Sequence, residues 1–282
     1  MTGTDYDDTT DLDASELNIL GTPVEDDPQA CLSARISVAD VLTLGNAASG
    51  FMAIYFLACS VMAARGGDVG VSAERSLAAA VVLMLVGALC DLCDGMVARK
   101  LRMSSLGAQL DNLADVITFG VAPAFFVVTW AAVPLNTGQA PAAVLVALSV
   151  LIGGVLRLAR FATTPGRPGV FQGMPIPMAA MTVVSIVLLD LPFTPAAVLI
   201  VAVSGLMVSR IEYPKPQGNM AIVVMAGIGL SMSCLIAWAA DAPGSEWMLN
   251  MGATTQVTLA LLVPAMAMAR KGVERIGLRM IR

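Results

Sequence analysis

The chain has 282 residues, 57% of them hydrophobic and only 13% charged, with a mean hydropathy of +0.80. Soluble domains carry about 25% charged residues, so this composition excludes an ordinary water-soluble enzyme and points to a protein dissolved in a bilayer. The net charge is −5 and there is no histidine, which excludes His-based triads and leaves carboxylates for any acid–base work.

Residues 1–34 hold nine acidic groups and no Lys or Arg. A polar, acidic stretch with so few aromatics is expected to be a disordered tail, with 35–282 as the membrane-embedded domain. Without the tail, twelve acids stand against sixteen bases, so the membrane body is net positive. No basic n-region precedes the first apolar run near Val38, and no cleavable signal peptide is expected. Crossing about 30 Å of hydrocarbon takes about 20 apolar residues. On that criterion eight membrane helices are predicted, at 39–64, 76–98, 108–132, 142–163, 178–191, 195–210, 219–240 and 254–270. The fifth and sixth are short and break around Leu191-Pro192-Phe193, which leaves a re-entrant pair as an alternative. The expected fold class is therefore an all-α polytopic bundle.

The basic residues orient it. With the N-terminus in the cytoplasm, only Arg65 and Arg75 of the 16 bases fall in external loops. The positive-inside rule thus predicts a cell-membrane protein whose two termini and 99–107 loop face the cytoplasm. No internal repeat of the kind found in inverted-repeat transporters is visible. Cys90 and Cys93 form a C-x-x-C, but no second pair and no histidine complete a zinc site, so they read as small packing residues.

The stretch from Cys90 to Asp115 reads CDLCDGMVARKLRMSSLGAQLDNLAD. Asp91 and Asp94 are three apart and Asp111 and Asp115 four apart, so each pair projects from one face of its helix. A short connection makes the two helices antiparallel neighbours, and four carboxylates converge near the cytoplasmic boundary. Like charges repel in a pocket of low dielectric, and hard divalent cations such as Mg²⁺ or Mn²⁺ relieve this by taking oxygen ligands. Such ions keep coordination positions for water and phosphate, so the site suggests phosphate chemistry. Gly95 and Ala98 are small where a ligand would approach, and Arg99 offers a fork suited to phosphate oxygens. Gly107 shares a stripe with Asp111 and Asp115, and Ser104 and Ser105 can donate to phosphate from the loop. The competing reading is buried ion-pair partners or proton-relay acids of a transporter, which has no need of Gly95 or Arg99.

This pattern, D-x2-D-G-x2-A-R followed by G-x3-D-x3-D, resembles the motif of the CDP-alcohol phosphotransferase family. The loop between Arg99 and Gly107 has seven residues where the family usually has eight. Further segments resemble the phosphatidylserine synthase branch: NLADVITFGVAPAF from Asn112, RLARF from Arg157, FQGMPIP from Phe171 and MVSRIEYPK from Met207. The first span, SVADVLTLGNAASGF, is most similar to archaeal archaetidylserine synthases, with Asp40 where many members carry Asn.

The resemblance implies transfer of a phosphatidyl or archaetidyl group from a CDP-lipid to L-serine, with release of CMP. It implies a divalent metal on Asp91, Asp94, Asp111 and Asp115, and assigns the role of general base to Asp115. Gly95, Ala98 and Arg99 would hold the nucleotide diphosphate, and Asp40 and Thr43 would line the cytidine pocket. Arg157 and Arg160, at the cytoplasmic end of the fourth span, read either as snorkelling anchors or as ligands for the acceptor carboxylate or a lipid phosphate; the resemblance favours the second. The expected partners are the CDP-lipid, serine, membrane lipids and a second copy in a homodimer, with no nucleic acid. The alternatives are another acceptor, glycerol 3-phosphate or inositol phosphate, and more remotely an ion-coupled transporter.

Overall fold

A computed structural model describes residues 37–100, 106–132, 139–163, 170–214 and 219–280 of the chain. The acidic tail, Ser104 and Ser105 lie outside the described residues.

The first helix, α1, spans Val38–Ala64 and starts at a reciprocal cap. The Ser37 backbone N–H donates to Asp40 Oδ2 at 2.8 Å, and the Asp40 N–H donates to Ser37 Oγ at 3.2 Å. Such caps satisfy the orphan N–H groups of a first turn and contribute about 1 kcal/mol. After a short turn, α2 (Ala73–Lys100) returns antiparallel and packs along α1.

The third passage is one helical rod of three parts: α3 (Gly107–Asp115), a π-helical turn (Val116–Val121) and α4 (Ala122–Ala132). The wide turn has a local cause. Pro123 has no N–H to give to the helix, and its ring crowds the carbonyl four residues back. The chain relaxes into a wider turn in which the Ala122 N–H reaches Ile117 O. The sequence reading expected an uninterrupted helix here.

The fourth passage is α5 (Ala140–Thr163). With α1, α2 and the composite third rod, it is apolar and long enough to cross a bilayer. The next two helices, α6 (Ile176–Leu188) and α7 (Phe193–Val208), are shorter and meet at a tight turn where Asp190 adopts a φ of +47°. Ten of the thirteen α6 residues are buried, against α4, the π turn, α7 and the last helix. α6 is thus the axis of the bundle rather than a lipid-facing span. The last two helices are α8 (Asn219–Ala239) and α9 (Ser245–Met280). α9 is much longer than the expected 254–270, beginning nine residues earlier and ending ten later.

Eight helical passages are therefore present among the described residues, as expected for an all-α polytopic protein. Large side chains such as Phe51, Leu145, Val198 and Val223 are exposed on the outer faces, the signature of surfaces solvated by lipid.

One non-helical element was not anticipated. Val170–Gln172 (β1) pairs antiparallel with Glu212–Pro214 (β2), Phe171 lying opposite Tyr213. Around it the Gly173 N–H donates to Ile211 O at 2.9 Å and the Met174 N–H to Leu206 O at 3.2 Å. Gly173 is required here. Its φ is +72°, and a Cβ would sit 2.5 Å from Met207 O.

Candidate active site

The site lies where the N-terminal end of α1 meets the C-terminal end of α2 and the start of α3. Its carboxylates project from the end of α2 and the start of the third rod, each of which packs against α1. Carboxylate oxygens of Asp91, Asp111 and Asp115 lie within 4.8 Å of one another. At an effective dielectric of about 20, each like-charged pair at that distance costs about 3–4 kcal/mol. A divalent cation removes that cost, and an all-oxygen donor set is what Mg²⁺ and Mn²⁺ prefer.

The fourth acid departs from the expected arrangement. Asp94 stands outside the trio; its Oδ2 accepts a hydrogen bond from Thr43 Oγ1 at 2.8 Å in a buried contact. It remains within electrostatic reach of Asp91 and Asp111. Asp94 and Asp115 are the two deeply buried members, 6% and 7% exposed.

Sequence reasoning missed Asn46. It is fully buried on α1, one turn beyond Thr43, and its Nδ2 donates to Asp115 Oδ1 at 3.2 Å. Its backbone carbonyl accepts from Thr118 Oγ1 at 2.8 Å. Its own Oδ1 is buried with no partner among the described residues, a group whose desolvation typically costs about 1–3 kcal/mol. Two glycines let the three rods close on this point. A Cβ on Gly50 would overlap the Thr118 hydroxyl, and one on Gly87 would sit 2.6 Å from Thr118 Cγ2 and 3.0 Å from Asn46 Oδ1. An amide in an apolar span was the available signal, since polar groups are costly there.

The remaining expected residues divide by location. A Cβ built on Gly95 meets nothing within 4 Å among the described residues. Ala98 and Arg99 fall on the last turn of α2, but their side chains lie outside the described ones. Gly107 is buried at the start of α3. Asp40 and Thr43 lie at the site end of α1, Asp40 engaged in the helix cap and Thr43 in the bond to Asp94.

The two arginines part company. Arg157 lies in electrostatic range of Asp115 and Asp91, and makes no ion pair with them among the described residues. Its Nε is buried with no hydrogen-bond partner among the described residues, and its guanidinium carbon lies 6.0 Å from the Phe161 ring centre. Arg160 points elsewhere, its Nη1 donating to Val208 O at 2.7 Å, where it satisfies a carbonyl at the C-terminus of α7. A separate cavity of about 480 Å³ lies at the other end of the bundle, lined by Ser60, Leu77, Phe126, Trp130, Trp238 and Leu249. It holds none of the clustered acids.

Carboxylates held between these helices in the order of the Asp91–Asp115 motif can be compared with known proteins. A sequence model of CDP-alcohol phosphatidyltransferases matches residues 36–209. The chain belongs to the CDP-alcohol phosphatidyltransferase family. Within this family it is 37% identical over 191 residues to the archaetidylserine synthase of Methanothermobacter thermautotrophicus, covering 66% of this chain and 73% of that protein. It is 34% identical over 177 residues to a CDP-diacylglycerol–serine O-phosphatidyltransferase of Bacillus subtilis, covering 62% and 88%. A transferase of the same description from Methanocaldococcus jannaschii is 30% identical over 192 residues, covering 68% and 80%. All four motif aspartates of this family member fall inside the matched region, as do Asn46 and Arg157.

Proposed function

We propose that this chain transfers the phosphatidyl or archaetidyl group of a CDP-lipid to the hydroxyl of L-serine, releasing CMP. The observation that carries this reading is the trio Asp91, Asp111 and Asp115, with Asp94 beside it, in a chain of this family. The names of the relatives support serine as acceptor.

Asp91, Asp111 and Asp115 fit a divalent cation by donor type and spacing, with Asp94 beside them as the fourth acid of the motif, and Mn²⁺ or Mg²⁺ is the natural choice. When bound, it supplies Lewis-acid neutralisation of charge on the pyrophosphate and on the departing CMP. The chain's own residues do the rest. Gly95 leaves room for the diphosphate beside α2, with Ala98, Arg99, Ser104, Ser105 and Gly107 as its further cradle. Asp40 and Thr43 flank the nucleotide from α1. Arg157, whose Nε has no hydrogen-bond partner among the described residues, holds the serine carboxylate or a lipid phosphate; Arg160, committed to Val208 O, is not assigned that role. Asp115 takes the proton from the serine hydroxyl. The serine oxygen then forms a bond to the lipid phosphorus as the bond from that phosphorus to CMP breaks, and CMP leaves with the electron pair.

The distribution of basic residues supports a cytoplasmic orientation of the site, where serine and CMP exchange while the lipid tails stay in the bilayer. We further infer a homodimer, by analogy with the family. The deciding experiment is an acceptor panel: purified protein, a CDP-lipid, and labelled serine, glycerol 3-phosphate or inositol phosphate. Label should enter lipid from serine alone. Incorporation from a phosphorylated acceptor instead would reject the serine assignment.

A further inference from the structure

We propose that Asn46 is a positioning residue for Asp115, fixing which of its two carboxylate oxygens is left for the reaction; this rests on the reading of Asp115 as proton acceptor. The Asn46 amide donates to Asp115 Oδ1. Facing a carboxylate, only the NH₂ end of an amide can make a favourable contact, so the chemistry itself fixes the orientation of the side chain. That bond fixes the plane of the Asp115 carboxylate and takes one lone pair of Oδ1, so Oδ2, which makes no bond to Asn46, is the oxygen turned to a substrate proton.

The amide is itself held in place. Thr118 lies three residues beyond Asp115 on the same rod and grips the Asn46 carbonyl at 2.8 Å. Asn46 is therefore attached to the third rod at two points, by side chain and by backbone, with Asp115 at one of them. Gly50 and Gly87 permit the approach by leaving room for Thr118.

An asparagine inside a membrane bundle is often simply interhelical glue. Glue that uses both ends of its amide leaves no buried polar atom unpaired. Here the Oδ1 end is buried with no partner among the described residues, and the donor end is the one engaged. A helix contact needs no such imbalance, whereas a residue retained to present an N–H to a carboxylate accepts it.

The test uses the full-length protein in lipid nanodiscs. Rates with CDP-lipid and serine are measured for Asn46→Ala, Thr118→Val, Asp115→Asn and the double variant Asn46→Ala/Asp115→Asn, and Mn²⁺ affinity is measured separately by electron paramagnetic resonance. Misplacing a reacting group by about 1 Å can cost about 100-fold in rate. Asn46→Ala should therefore lose about 10- to 100-fold in kcat, while KM for the CDP-lipid and Mn²⁺ affinity stay within about threefold. Because Asn46 acts through Asp115, adding Asn46→Ala to Asp115→Asn should cost little more. Thr118→Val keeps the shape of the contact and should lower kcat less, again without a change in KM; it carries the test if Asn46→Ala does not fold.

A kcat for Asn46→Ala within twofold of the parent would overturn the proposal, as would an unchanged kcat for Thr118→Val where only that variant folds. So would fully multiplicative losses in the double variant, or a fall in Mn²⁺ affinity large enough to explain the lost rate. If Asp115→Asn is itself nearly as fast as the parent, the base assignment fails and takes this proposal with it. If Asp115→Asn is slow and Asn46→Ala is not, only the positioning role fails.

Discussion

Asp91 and Asp115 share one cluster but have different surroundings, and substitution should separate their roles. Asp115 is buried and tied to Asn46, whereas Asp91 is half-buried and carries no such tether among the described residues. Asp115→Asn keeps the size and one oxygen ligand but loses the proton acceptor. General-base contributions are about 10²–10⁴-fold, so kcat should fall by that order and excess Mn²⁺ should not restore it. Asp91→Asn should weaken metal binding instead, and rate measured against Mn²⁺ concentration should show partial rescue. Recovery of Asp115→Asn at high Mn²⁺ would make Asp115 a ligand only. Gly95 gives a complementary test. The space beside it is open among the described residues, so Gly95→Leu should leave the unfolding temperature nearly unchanged and raise KM for the CDP-lipid at least about tenfold if the diphosphate lies there. A drop in stability with normal KM would reassign Gly95 to packing. Of the residues that matter here, the aspartates were visible in the sequence because charge in an apolar span has few explanations. Asn46 was not, because a single amide reads equally well as glue. Its meaning depends on a contact 69 positions away.

At the scale of elements, the position of each span could be read from hydropathy, but the quality of its path could not. The boundaries of α1 and α5 fall within a few residues of the expected ones. The π turn was missed although its cause, Pro123, was in plain view; an apolar window does not distinguish a wide turn from a regular one. The β1–β2 pair was missed because it is three residues long on each side and its register is set by tertiary contacts. It explains why the FQGMPIP and MVSRIEYPK segments matter together, since Gly173 and Met174 bond to the backbone leaving α7. Close rod-to-rod approach also makes a prediction. Gly50→Val and Gly87→Val both drive a side chain into Thr118, and overpacking of this kind costs about 1–3 kcal/mol. Thermal unfolding in detergent should show a lower midpoint for both. An unchanged midpoint would mean that the three rods are farther apart than described.

For the whole molecule, the tests concern metal and orientation. Activity should vanish in EDTA and return with Mn²⁺ or Mg²⁺; full turnover in a chelated sample would reject a metal-held pyrophosphate. In a cysteine-free background, Thr163→Cys at the site end should react with an impermeant thiol reagent only from the cytoplasmic side, and Asp68→Cys at the other end only from outside. The reverse labelling would invert the orientation inferred from Arg and Lys. Composition alone identified a bilayer protein, but it could not reveal which passage is central. That depends on which helix has its side chains buried on every side, as α6 does.

The brevity of α6 has a consequence for how the protein is made. Thirteen residues rise about 20 Å as a helix, well short of the roughly 30 Å of a hydrocarbon core. Such a segment cannot be handed to the bilayer as a free-standing span without dragging one of its polar ends into oil. The tight turn at Leu189–Pro192 couples it to α7, and the two together are long enough to enter as a hairpin that never commits the turn to the far side alone. In a translocon insertion assay, the 170–190 segment by itself should be rejected, whereas 170–210 should be retained in the membrane. Efficient insertion of the shorter piece would show that the nascent chain needs no such partner. On this route, the innermost helix of the finished bundle is also the one most dependent on its neighbour at birth.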